Sequence, residues 1–128
     1  MDLDEIGKQI VDAAFEVHKT IGPGLLESAY EACLKHELTL RGINFVSQKE
    51  VPLIYKGIRV DVAYRLDLLV EDRVIVEIKS SDRLTDVNLA QIISYLKLKD
   101  LRLGYLINFN VKYSKNGIKR VVNNFEEE

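Results

Sequence analysis

The amino-acid sequence predicts one α/β domain in which helices are layered on a sheet. Apolar residues recur at helical spacing up to about residue 40 and at alternate positions from residue 43 onwards. One further helical segment separates three strands from a fourth. With 128 residues, the chain suits a single hydrophobic core. We therefore expect residues 1–128 to form one layered α/β domain rather than a series of repeated βαβ units.

Two helices are predicted at the start of the chain. Apolar spacing indicates a first helix over residues 3–20, within an N-terminal segment of residues 1–22, and the sequence "GPG" interrupts it. Pro23 fits the first turn of a second helix, where its missing N–H is harmless. We expect this helix to run to about Leu40 and to stop at Gly42.

Strands and a third helix are predicted after residue 43. Pro52 in the first strand indicates an edge or a bulge, and Lys56-Gly57 indicates a turn. A helix is expected from about Asp86 to Lys99, and residues 124–128 are expected to be an acidic tail. The strands are predicted within FVSQKEVPLIY, IRVDVAYRLDLLV, RVIVEIKS and LRLGYLINF, with a short last strand in GIKRVVNN.

Composition narrows the compartment and the partners. No apolar run approaches the roughly 20 residues of a membrane helix, and the acidic, amphipathic start is unlike a secretory signal. The single cysteine, Cys33, excludes an internal disulfide framework, so a cytoplasmic protein is expected. The net charge of -2 lacks the basic excess of a typical duplex-binding protein. Three alternatives remain: nucleic acid is not a partner, basic residues cluster locally, or bound cations supply the positive charge.

Charged residues of two neighbouring strands form a candidate site. If residues 71–73 make a three-residue loop, Asp67 faces Glu77, whereas a two-residue loop would put them on opposite faces. Facing carboxylates repel each other, but a divalent cation between them would have the oxygen ligands that Mg²⁺ prefers. Lys79 shares the face of Glu77 and could hold a phosphate or a metal-bound hydroxide. The pattern alone is also typical of solvated charges on a half-buried strand.

The opposite faces of these strands are predicted to be apolar. Leu66 and Leu68 are two residues apart in the second strand, so strand alternation predicts that both lie on the face away from Asp67. In the third strand the same alternation predicts that Val76 and Ile78 lie on the face away from Glu77.

Two helical groups could contribute to the same site. Gly24, Glu27 and Tyr30 are spaced three apart and so lie near one another on a helix. A first-turn glutamate favoured by the helix dipole and a core tyrosine also explain this group adequately. Gln91 and Tyr95 are four apart on one helix face, and taken alone Gln91 favours exposure to solvent.

Taken in order, these segments match a known pattern. The segments are GLLESAY, RLDLLV, VEIKS, QIISYLK and LGYLINF. Together they resemble the GxxExxY protein family, a branch of the PD-(D/E)xK nuclease-like superfamily, over about residues 5–120. The resemblance implies a restriction-endonuclease-like α-β-β-β-α-β core with a mixed central sheet flanked by helices. One departure is that Asp67 follows Leu66, where the superfamily's name has proline.

The resemblance also implies a metal site. Asp67 and Glu77 would hold Mg²⁺, for which Mn²⁺ could substitute, with the backbone carbonyl of Ile78 as a further ligand. Glu27, from the second helix, would reach the same cluster as another ligand or as a base that positions water.

Other residues would line this site by the same resemblance. Lys79 would orient or activate the attacking water and stabilise developing negative charge. Gln91 would be a catalytic residue on the third helix, and Tyr30 and Tyr95 would line the site.

The function implied is that of a Mg²⁺-dependent nuclease that hydrolyses phosphodiester bonds, with DNA favoured over RNA. The alternative is a catalytically inactive module of the same fold that binds nucleic acid or protein. Either form could work with a protein partner or as a homodimer, and no membrane association is expected. A basic rim would favour nucleic acid, and its candidates are Lys49, Lys56, Arg59, Arg83, Lys97 and Lys99.

Overall fold

The computed structural model describes residues 1–126, and of Val62 and Ala63 it describes only the backbone. Two helices, three strands, a third helix and two strands follow one another in the predicted order, and a 3₁₀ turn at Ser114–Asn116 precedes the last strand. The helices are α1 (Leu3–Ile21), α2 (Glu27–Leu40) and α3 (Asp86–Lys99). The strands are β1 (Phe45–Tyr55), β2 (Ile58–Val70), β3 (Val74–Lys79), β4 (Leu103–Asn108) and β5 (Ile118–Val122).

Within the described residues the strands form one mixed sheet in the order β1-β2-β3-β4-β5. All neighbouring strands are antiparallel except β3 and β4, which are parallel because α3 carries the chain back across the sheet. The predicted mixed, layered α/β architecture is therefore confirmed. No helix in the described part of the chain is long and apolar enough to cross a membrane.

The core has two layers, one on each face of the sheet. Helices α1 and α2 cover one face, where Ile10 and Leu34 are fully buried against residues such as Val76. Helix α3 covers the other face, where Ile92 and Leu96 pack with Ile75. Burying apolar side chains on both faces is the main stabilising contribution of such a layered sheet.

Helix α2 begins later than the sequence predicts. Gly22 and Gly24 adopt left-handed φ values of 68° and 97°, so the chain between α1 and α2 forms a loop. Helix α2 begins only at Glu27. The prediction that Pro23 opens the helix is therefore wrong, since a left-handed residue next to the proline cannot continue a right-handed helix.

The loop before α2 is held by Tyr30. The Tyr30 hydroxyl donates to the Gly22 carbonyl at 2.6 Å and accepts from the Leu25 N–H at 3.1 Å. The ring is fully buried and stacks on Phe109, with 4.6 Å between centroids. Tyr30 thus holds, from the core, the loop that leads into Glu27.

The hairpin between β2 and β3 has the three-residue loop that the sequence predicts. Glu71 and Asp72 have φ values of 51° and 56°, and the Arg73 N–H donates to the Val70 carbonyl at 3.0 Å. Two positive φ values at a turn's centre match the twist of paired strands. Pairing of Val70 with Val74 follows, and this register places Asp67 opposite Glu77, as predicted.

Strand β1 confirms the prediction made from Pro52. It is an edge strand of the sheet, and its register with β2 shifts between Pro52 and Leu53. The predicted turn is also present, with φ values of 48° at Lys56 and 82° at Gly57. Of the predicted acidic tail, Glu127 and Glu128 lie outside the described residues.

The apolar alternation of β2 breaks in the middle of the strand. Leu68 belongs to the core on the α1 and α2 side, whereas Leu66 belongs to the core under α3. The prediction that both share one face is therefore wrong. The break falls at Asp67, opposite Gln48 of β1, whose φ of 54° is unusual for a strand.

Replacing Tyr30 by Phe is predicted to destabilise the fold by about 1–3 kcal/mol, because two part-buried hydrogen bonds, to the Gly22 carbonyl and from the Leu25 N–H, are lost. Urea unfolding would measure the change. Tyr113→Phe is the matched control, since Tyr113 is 56% exposed. Equal stability of the two variants would contradict the role given to the Tyr30 hydroxyl.

Candidate active site

Strands β2 and β3 separate at the carboxylates, forming a fork in the sheet. Their last ladder pair is Leu68 with Val76, and beyond it side chains replace backbone partners. The Asp67 N–H donates to Glu77 Oε2 at 2.8 Å, and the Ile78 N–H donates to Asp67 Oδ2 at 2.7 Å. Each carboxylate is thus oriented by a backbone N–H of the facing strand, and the predicted meeting of Asp67 and Glu77 occurs at this fork.

Glu77 is the buried acid of the fork, with only 4% of its surface exposed. Burial, and then the negative charge of Asp67, raise the pKa of Glu77 to about 8. The positive charge of Lys79 lowers this pKa, but by less than burial raises it. Without a further positive charge nearby, Glu77 therefore keeps its proton at neutral pH.

A pocket of about 240 Å³ opens beside Asp67 on the α2 side of the fork. Its walls include Glu27, the first residue of α2, and Ile78. The N–H and C=O of one strand residue point to the same side, and the Ile78 N–H points at Asp67. The Ile78 carbonyl therefore faces the fork as well. The residues lining the pocket are Glu27, Ser28, Glu31, Gln48, Asp67 and Ile78.

Lys79 ends β3 and is half-buried. Its carbonyl accepts the Phe109 N–H at 3.0 Å, which fixes the strand end. Asn108, only 3% exposed, holds the following loop through two hydrogen bonds with the backbone of Ser81. Among the described residues no carboxylate lies within ion-pair distance of Lys79, so its ammonium is available to a ligand.

Tyr95 lies on α3 within electrostatic reach of the fork, and Gln91 is exposed on the same helix. Burial, and then the charges of Glu77 and Asp67, raise the pKa of Tyr95, so the phenol lies within electrostatic reach of both acids. Gln91 is exposed one turn earlier on the helix and is not part of the wall of the pocket beside Asp67.

Tyr30 does not line the pocket beside Asp67. Its ring is fully buried in the core on the α1 and α2 side of the sheet, where it stacks on Phe109. The tyrosine of the GLLESAY segment therefore contributes to the site only through the loop that it holds.

Three polar residues of the pocket, Ser28, Glu31 and Gln48, were not predicted from the sequence. Glu31 lies four residues after Glu27, so the helical period could have found it. Gln48 lies opposite Asp67, and its Nε2 donates to Glu31 Oε1 at 2.8 Å and to Asp67 Oδ1 at 3.4 Å. Burial, and then the charge of Asp67, raise the pKa of Glu31.

A mixed sheet that forks between two carboxylates, with a lysine two residues further on, makes this chain a nuclease-like α/β protein. A family model of the PD-(D/E)XK nuclease superfamily matches residues 4–121, and the chain belongs to this superfamily. The match confirms the superfamily predicted from the motifs and agrees with a restriction-endonuclease-like fold. Comparisons with curated proteins gave no match. Comparisons with solved structures gave none either.

Nucleases of this superfamily generally use divalent metals, and the fork has suitable chemistry. Every donor that Asp67, Glu77, Glu27 and the Ile78 carbonyl offer is oxygen, and the negative charge of Asp67 contributes to the raised pKa of Glu77, so the two acids repel each other's ionised forms. A divalent cation at the fork would provide that compensation. The residues at the fork therefore offer the oxygen donors that a divalent cation such as Mg²⁺ prefers.

The side chains do not form a closed ligand set. Within residues 1–126 no three His, Cys, Asp or Glu side chains are grouped closely enough to hold a metal ion. Glu27 approaches from the layer of α2 and Glu77 lies on the face of α3, with Asp67 between them, so the three carboxylates lie in different layers. Glu27 is exposed, so its rotation towards the fork would displace little packing.

Glu77→Gln is predicted to change how stability depends on pH. The pKa of Glu77 is raised above its ordinary value of 4.5, so the folded protein binds this proton more tightly than the unfolded chain. The stabilisation is fully present below 4.5 and is lost as the pH rises towards about 8. The wild type should therefore lose stability relative to Glu77→Gln over this interval.

Urea unfolding across this pH interval would measure the difference. Glu50→Gln is the control, because the Glu50 side chain is 61% exposed. Parallel stability curves for wild type and Glu77→Gln would contradict a raised Glu77 pKa.

Proposed function

We propose that this chain is a Mg²⁺-dependent nuclease that hydrolyses phosphodiester bonds, with DNA favoured over RNA. Superfamily membership implies a nucleic-acid substrate and a nuclease-type activity. The observation that carries the proposal is the reciprocal pair at the fork, where Asp67 and Glu77 face each other on fixed backbone donors. This arrangement keeps two acids together that would otherwise repel each other.

The cation would be held by oxygen atoms on both sides of the fork. Asp67 and Glu77 would supply carboxylates, Ile78 its carbonyl, and Glu27 a further carboxylate from the pocket rim. Mn²⁺ would substitute, since it accepts the same oxygen donors. When bound, the cation supplies Lewis-acid polarisation of a phosphate oxygen.

The chain's own residues have separate tasks in this mechanism. The ammonium of Lys79 orients the attacking water and stabilises negative charge that develops on the phosphate. Glu77 gives up its proton when positive charge is brought to the fork, because the charge lowers its raised pKa. Tyr95 closes the α3 side of the fork, and Gln91 would contact substrate from the exposed face of that helix.

The distribution of charge supports nucleic acid as the partner. The turn end of the β1–β2 hairpin, residues 53–60, carries Lys56 and Arg59 and no carboxylate. Both are exposed, and neither forms an ion pair with a described carboxylate. Exposed cations of this kind can neutralise phosphates although the net charge of the chain is -2. The other exposed members of the predicted rim are Lys49, Arg83 and Lys97, while Lys99 is half-buried.

A binding module without cleavage activity is the second candidate function. The same hairpin end exposes Ile54 by 53%, Tyr55 by 60% and Ile58 by 68%. Apolar side chains that are exposed side by side favour a protein contact, either with another protein or with a second copy of this chain. We also propose a cytoplasmic location, in which Cys33 stays a free thiol.

Glu77→Gln is predicted to lower Mg²⁺- or Mn²⁺-dependent cleavage of plasmid DNA by about a hundredfold or more, because a ligand carboxylate is removed. Nicking and linearisation on agarose gels would measure it, with Glu50→Gln as the exposed control. Full cleavage by Glu77→Gln would contradict the proposed mechanism. Oligonucleotide binding by the wild type without cleavage in either cation would favour the binding module.

Lys79→Met is predicted to lower kcat by about a hundredfold while leaving cation binding nearly unchanged, because Lys79 acts on water and phosphate rather than on the cation. The cation-dependent rise in Tm would measure binding, and cleavage kinetics would measure kcat. Loss of the Tm rise in Lys79→Met would show that the lysine supports the cation site instead.

A further inference from the structure

Gln48 occupies an unusual position directly across from Asp67. Ser47 pairs with Leu68 and Lys49 pairs with Leu66, so Gln48 and Asp67 are the opposed residues between two regular pairs. The φ of Gln48 is 54°, in the left-handed region that few residues other than glycine adopt. Backbone of this kind persists only where neighbouring interactions maintain it.

Both strands change faces at this position. In β1, Phe45 packs with the core under α1 and α2, while Val51 packs under α3, although an even spacing should keep them on one face. In β2, Leu68 and Leu66 show the same change across Asp67. The left-handed backbone of Gln48 therefore coincides with the point where the β1–β2 hairpin turns from one layer to the other.

The Gln48 amide joins two acids across this point. Its Nε2 donates to Glu31 Oε1 at 2.8 Å and to Asp67 Oδ1 at 3.4 Å. Asp67 Oδ2 accepts the Ile78 N–H at 2.7 Å. Both oxygens of Asp67 are therefore restrained, one by β3 and the other by Gln48, and the amide separates Asp67 from Glu31.

We propose that Gln48 is a positioning residue for Asp67, and that Glu31 is the anchor that holds the Gln48 amide in place. A glycine would adopt the same backbone conformation without strain, so the amide is what a glutamine adds at this position. Glu31 acts through Gln48 and is not itself a cation ligand. The part of this inference that concerns cation affinity rests on the proposed function, whereas the positioning of Asp67 does not.

Hydrogen exchange without metal tests the positioning directly. Gln48→Gly keeps the backbone conformation and removes the amide, so Tm should stay unchanged or rise. The Ile78 N–H, whose acceptor is Asp67 Oδ2, should exchange roughly threefold to tenfold faster, because Asp67 gains freedom. The Val76 N–H, in the regular ladder, is the internal control. Unchanged Ile78 exchange would overturn the proposal, and Gln48→Asn serves if the glycine variant fails to fold.

Calorimetric titration with Mn²⁺ tests the anchor. Glu31→Gln retains an acceptor oxygen for Gln48, so its affinity should stay within about twofold of wild type, whereas Glu31→Ala and Gln48→Gly should each lose roughly threefold to tenfold. The Glu31→Ala/Gln48→Gly double variant should lose no more Mn²⁺ affinity than either single variant, because both substitutions break the same hydrogen bond between Gln48 and Glu31.

Two results would overturn the anchor role. Equal losses in Glu31→Gln and Glu31→Ala would make Glu31 a ligand, and additive losses in the double variant would make the two residues independent. A wild-type protein that binds no Mn²⁺ would refute the proposed function, while Ile78 exchange would still decide the positioning role.

Discussion

The structure depends on how β2 and β3 separate. Separated strands leave backbone N–H groups without ladder partners, and a buried N–H without a partner is strongly unfavourable. Here Glu77 accepts the N–H of Asp67, and Asp67 accepts the N–H of Ile78. The acids therefore complete the sheet's hydrogen bonding as well as form the site. Because the three-residue loop 71–73 fixes the register, it also fixes which residues meet at the fork.

The same arrangement has an electrostatic consequence. Burial raises the pKa of Glu77, and the neighbouring charge of Asp67 raises it further, because two adjacent acids disfavour each other's ionised forms. A hydrophobic replacement would remove this penalty but would leave the N–H of Asp67 without an acceptor. The fold thus keeps an acid that a further positive charge at the fork would ionise, since the charge of Lys79 alone does not offset burial. The protonation state of Glu77 therefore affects both the stability of the fold and the proposed binding of a cation at the fork.

Sequence reasoning predicted the regular part of this molecule and missed the irregular part. The strands, α3 and the loop 71–73 follow from periodicity and local turn preferences, which act over a few residues. The late start of α2 depends on the Tyr30 hydroxyl, and the change of faces depends on a left-handed glutamine; neither leaves a periodic signal. Gln48 could have been found only by carrying the strand register across to β1.

The segment GLLESAY acquires a physical explanation from these contacts. Gly24 turns the loop with a left-handed φ, Tyr30 binds the loop's backbone, and the Ser80 hydroxyl donates to the Leu25 carbonyl at 2.6 Å. Ser80 follows Lys79, so the loop before α2 is tied to the end of β3. Glu27 is the first residue after this tie. The glycine and the tyrosine therefore set where the glutamate starts the helix, and of these three residues the glutamate is the one that lines the pocket beside Asp67.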